Sequence, residues 1–98
     1  MIFWLCFFRF DVVIDRIESD FAVIEWENLA LSVLPLQMID CPIEEGSRIT
    51  LFIYPSPYGA VASPPMLLTE YGPVIIPIEG SLHYTTKYGI KTQCPSQT

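Results

Sequence analysis

Between residues 11 and 54, apolar and polar positions alternate or run in short β-branched blocks, and turn-forming residues recur at close intervals. Val12-Val13-Ile14-Asp15-Arg16-Ile17-Glu18, a break at Ser19-Asp20, and Phe21-Ala22-Val23-Ile24-Glu25-Trp26-Glu27 predict one β-hairpin. In a strict period of two, the first strand (about 11–17) puts Val12 and Ile14 on one face and Val13 and Ile17 on the other, which predicts burial on both sides. The second strand sorts Ala22, Ile24 and Trp26 to one face and Phe21, Val23, Glu25 and Glu27 to a face nearer solvent. Glu27-Asn28 predicts a tight turn into a third strand over 29–34. Pro35 ends that strand, because its ring cannot donate to a ladder and holds the preceding residue extended. Residues 36–42 read as a loop or a single helical turn. Residues 44–47 form a turn into a fourth strand, 48–54, with Ile49, Leu51 and Ile53 as its apolar face. The prediction is a mainly β fold: a small antiparallel sheet or half-open barrel of SH3 or OB size, with a Pro-rich C-terminal extension.

The extension, 55–98, has a different character from the small β domain at 11–54. It holds seven of the nine prolines and four of the five glycines, so regular structure there must be brief. Residues 55–65 read as a linker or semi-rigid arm. Val74-Ile75-Ile76, cut short by Pro77, reads as an edge strand or extended segment. Residues 82–86 read as a further strand continued by Tyr88 and Ile90, and 93–98 as a frayed end. No helical amphipathic period is visible anywhere.

Charge and cysteine usage narrow the classes. The net charge is −6, and nine of the eleven acids lie in residues 1–54 against Arg9, Arg16 and Arg48. A nucleic-acid partner is disfavoured, since phosphate binding rests on lysine and arginine. Cys6, Cys41 and Cys94 are odd in number and far apart, fitting no zinc or redox spacing, which predicts reduced thiols and a cytoplasmic protein. The opening Met1-Ile2-Phe3-Trp4-Leu5-Cys6-Phe7-Phe8 is too short to span a bilayer and lacks the basic start and small-residue cleavage site of a signal peptide. Three readings fit it: an edge strand packed on the body, a membrane-touching or partner-binding patch, or a start codon placed too early.

Four pieces in order carry a family resemblance: Val13-Ile14-Asp15-Arg16-Ile17-Glu18, Phe21-Ala22-Val23-Ile24-Glu25, Leu34-Pro35, and Glu44-Glu45-Gly46-Ser47-Arg48-Ile49. Over residues 11–54 the chain resembles a bacterial family of short proteins, the domain of unknown function numbered three thousand and six. Ser47 stands where that family usually carries an aspartate, and nothing beyond residue 54 is covered. The resemblance implies a small β fold in a bacterial or phage setting and no established activity.

Candidate chemistry is sparse, and no cofactor is expected. Asp15 and Arg16, adjacent on a strand, should point to opposite faces, which leaves Arg16 to reach Glu25 or Glu27 across the hairpin. Asp15, Glu18 and Asp20 at the hairpin end fall short of the six to eight oxygens of a calcium site. Glu25 and Glu27 share a face, as an acid–base pair would, but a solvated sheet face is the simpler reading. A thiol nucleophile would need Cys41 or Cys94 brought to His83, the sole histidine; otherwise Cys41 packs as a small apolar group. Trp4, Phe7, Phe8, Phe10 and Trp26 are either a core shared with the tail or anchors for a partner or a second copy. The expected function is a non-enzymatic accessory or protein-interaction module. A small thiol-dependent enzyme or subunit is the alternative, and a weak oligonucleotide-binding barrel a third.

Overall fold

The computed structural model describes residues 8–57, 59–62, 65–80, 82 and 86–95. Among the described residues eight strands form: β1 (Phe8–Glu18), β2 (Phe21–Glu25), β3 (Leu31–Pro35), β4 (Arg48–Pro55), β5 (Ala60–Ala62), β6 (Met66–Thr69), β7 (Gly72–Ile75) and β8 (Tyr88–Gln93). A single 3₁₀ turn, Leu36–Met38, is the one helical element among the described residues. The mainly β expectation holds, as a curled five-stranded antiparallel sheet ordered β3-β2-β1-β4-β8 and a three-stranded sheet ordered β5-β6-β7.

The alternation that predicts the first four strands also fixes what they bury. Val12 and Ile14 of β1, Ala22 and Ile24 of β2, Leu34 of β3, and Ile49, Leu51 and Ile53 of β4 are almost fully enclosed and share one core. Each such valine, leucine or isoleucine removed from water stabilises the fold by roughly 1.5–3 kcal/mol. The hairpin turns at Ser19, which takes a left-handed φ of 51°, and pairs Glu18 with Phe21.

A β-bulge corrects the two-sided burial expected for β1. Val13 pairs with Glu25 and Ile14 with Ile24, but Arg16 then pairs with Val23 and Ile17 with Ala22, so Asp15 has no partner in the ladder. The extra residue resets the period of two, bringing Ile17 back to the inner face with Ile14 and Ala22. There, at the open hairpin end, Ile17 is exposed while Val13 is half-buried.

The third strand begins two residues later than predicted. Leu29 sits in the turn with φ 71° and is 74% exposed. Asn28 shapes that turn: its Oδ1 accepts from the Ala30 N–H at 3.1 Å, and its Nδ2 donates to the Pro77 carbonyl at 3.0 Å. Pro35 closes β3 as expected, and the helical turn follows. Gly46, with φ 91°, makes the turn before β4.

Residues 55–65 do more than link. They carry β5, and Gly59 lies so close to the Tyr88 carbonyl that any Cβ at this position would collide with it. β6 and β7 send Leu67 and Val74 into the same core as the larger sheet, joined by Ile76 just beyond β7. β7 takes an edge position, the placement that Pro77 suggested for Val74-Ile75-Ile76, and runs close to β3 while β6 runs close to β8. The small sheet thus spans the opening between the two edges of the curled one. β8 pairs along β4 from Tyr88 to Gln93, so Gln93 is strand and not frayed end. Of the strand expected over 82–86, residues 83–85 lie outside the described residues, and Leu82 and Thr86 are not in a strand.

Candidate functional site

At the hairpin end, the bulge overturns the expectation that Asp15 and Arg16 diverge. Arg16 Nη1 donates to Asp15 Oδ2 at 2.7 Å and Arg16 Nε to Glu18 Oε2 at 2.6 Å. Two strand neighbours meet because the bulge residue leaves the pleat, while Glu18 shares Arg16's side of the strand. Glu18, and then Asp15, raise the guanidinium pKa above its already high value. Arg16 therefore closes on its own strand and not on Glu25 or Glu27. Asp20 lies in the exposed turn, where its carbonyl accepts from the Leu36 N–H at 3.0 Å. Glu25 is half-buried between Val13 and Leu31, and Glu27 falls in the next turn, which separates the two carboxylates that a continued strand would align. Among the described residues, no group of three metal-ligating side chains comes together.

The aromatic candidates divide. Trp26 is core, 2% exposed, and is no surface anchor; its parity with Ala22 and Ile24 carries it inward. Its indole N–H donates to Ser32 Oγ at 2.7 Å, which supplies the one polar contact a buried tryptophan needs. Phe10 packs edge-on against Trp26 at 5.3 Å and Phe8 stacks with Phe10 at 6.4 Å, both half-buried. Trp4 and Phe7 lie outside the described residues.

The thiol expectations are corrected. Cys41 and Cys94 are joined in a disulfide across 53 positions, with their Cα atoms 6.2 Å apart. Neither is a reduced thiol or a free nucleophile, and Cys41 is a crosslink and not a small packing group. His83 and Cys6 lie outside the described residues. The bridge ties the loop after the 3₁₀ turn to the end of β8, where Thr92 Oγ1 also donates to the Met38 carbonyl.

A cleft of about 240 Å³ opens beside β8, with Met38, Tyr88 and Ile90 from the core side and Tyr54, Gly59, Glu70 and Tyr71 around it. Tyr54 faces Gly89 across the β4–β8 ladder, and its ring covers the space a side chain there would fill. Tyr71, in the β6–β7 turn, is 45% exposed. A hydrogen bond to Glu70, with that carboxylate's charge, some desolvation and the charge of Asp40, lifts the Tyr71 phenol above its ordinary range. Sequence reasoning missed this cleft because Tyr54, Tyr71 and Tyr88 come from three separate strand ends. Only the third dimension unites them.

On the outer side of edge strand β3, Leu31 and Val33 are 51% and 43% exposed, next to the exposed Leu29. No helix among the described residues is long and apolar enough to cross a membrane. No family model, curated protein or solved structure matches this chain.

Proposed function

We propose that this chain is a small non-enzymatic interaction module that binds a protein partner or a second copy of itself. The observation that carries this reading is the apolar outer side of β3: Leu31 and Val33 stand in solvent on a sheet edge, joined by Leu29 at the turn. Edge strands ordinarily carry charge or proline to discourage pairing. β3 carries its proline, Pro35, only at its last residue, and the apolar side chains before it gain free energy when another surface covers them. The alternative thiol enzyme loses its nucleophile while Cys41 and Cys94 are bonded. The bridge favours an oxidising compartment over the cytoplasm, since glutathione and thioredoxin keep cytosolic thiols reduced.

The test is the Leu31→Lys/Val33→Lys pair, which alters side chains already in solvent. Sedimentation across a concentration series, and capture of host proteins on the immobilised chain, should show association that the variant loses while its circular dichroism is retained. An unaltered association profile would remove β3 as the interface.

A further inference from the structure

From the second edge of the curled sheet we infer a binding bay for an extended, basic segment of a partner protein, which adds as a short strand along β8. This deepens the interaction-module reading and rests on it. The Tyr88 N–H donates outward, away from β4, to the Gly59 carbonyl at 3.3 Å. Backbone groups in an antiparallel ladder alternate sides, so the N–H and C=O of Ile90 and Thr92 face the same outer edge. Lys87, by contrast, turns its carbonyl inward to the Ser56 N–H at 3.0 Å. Among the described residues, the edge that carries no further ladder thus begins where Gly59 stops and ends at the Cys41–Cys94 bridge, with β6 close by. From Tyr88 to Thr92 this is about 13 Å of strand, room for three or four residues of guest chain.

The bay is bounded as well as open. Met38 and Ile90 form its apolar floor and the β6–β7 turn its far wall, enclosing the 240 Å³ cleft. A second hollow of about 130 Å³ continues it past Asp40, Tyr71 and Thr92. Glu70 and Tyr71 belong to that wall, Asp40 lines the second hollow from the loop after the 3₁₀ turn and acts on the Tyr71 phenol through its charge, and the whole chain carries −6. Lys91 borders the second hollow from the outer face of the sheet, paired with Phe52, and leaves the wall opposite acidic. Strand addition draws affinity from backbone pairing and selectivity from alternate side chains. Here an apolar residue of the guest meets the floor and a lysine or arginine meets Glu70 and Asp40. The Gly59 contact and the disulfide hold β8 at both ends, so little order remains to be imposed on binding.

The experiment uses the oxidised full chain, isotope-labelled, and a blocked heptapeptide alternating valine and lysine. Saturable shifts should appear at the Ile90 and Thr92 amides, whose hydrogen exchange should slow about tenfold as they enter a ladder. The valine–glutamate peptide should bind at least about tenfold more weakly through like-charge repulsion, and Glu70→Lys should weaken the lysine peptide similarly. No response at Ile90 and Thr92, or equal binding by a lysine peptide methylated on alternate backbone nitrogens, overturns the inference. The Leu31→Lys/Val33→Lys variant should take the lysine peptide unchanged. If that variant abolishes association while the peptide never binds, the interaction module stands and the β8 bay falls.

Discussion

The two sheets reach the same core by different means. The larger is built from strands of five to eleven residues whose own alternation sorts inside from outside. The smaller has strands of three and four residues and would not persist alone, yet Leu67, Val74 and Ile76 are fully buried. Its order is borrowed: it spans the mouth of a curled sheet and is pinned by contacts that include Asn28 to Pro77 at one end and Gly59 to Tyr88 at the other. A sheet can thus be well packed without being well specified by its own sequence.

The sharpest way to break the comparison is to empty equivalent core positions. Leu51→Ala, in the middle of β4, should cost about 4–5 kcal/mol in chemical denaturation, and Leu67→Ala, in β6, nearer 2–3, because the small sheet can settle into the space. Equal losses would mean that the two sheets are equally rigid. Opening the bridge with Cys41→Ser should cost about 4 kcal/mol by the chain-entropy estimate for a loop closed across 53 positions. Hydrogen exchange after reduction should rise first in β8 and the small sheet and last in β1 and β4. Uniform exchange would contradict a borrowed order. Trp26→Phe keeps most of the packing but strips Ser32 of its partner, and should cost about 1–3 kcal/mol at the heart of the larger sheet.

The smallest effect is a titration. Tyr71 is held above the ordinary phenol range, first by its hydrogen bond to Glu70, so its protonated form is the one folding favours. That contribution is complete below the titration of an unfolded tyrosine and is lost as pH rises through the folded value. Glu70→Gln should move the Tyr71 transition downward, read as ultraviolet absorbance against Tyr71→Phe. No movement would place Glu70 away from the phenol.

Legibility followed the same division. The β1–β2 hairpin, the stop at Pro35 and the apolar face of β4 were readable because side-chain parity and turn chemistry are local properties. The start of β3 was misjudged because Leu29 adopts a left-handed turn position that leucine seldom takes, held there by its N–H to the Trp26 carbonyl at 2.8 Å. The small sheet was obscured by prolines that its short edge strands tolerate. The Cys41–Cys94 pairing and the β8 cleft carried no signal at all, since each joins residues that only the closed topology makes neighbours. The direction of Arg16 was lost for a different reason: one residue without a partner in the ladder undoes a parity argument for every position after it.

Asp15 has a consequence for tolerated chain length. Because the pairs Ile14 with Ile24 and Arg16 with Val23 already follow one another, excising Asp15 would splice β1 into an uninterrupted ladder with every remaining pair intact. Removing Val13 instead would shift the outer half of the strand by one and turn Val12 away from the core. This strand therefore contains one dispensable link among obligatory ones, and a family of length variants could differ there without differing in fold.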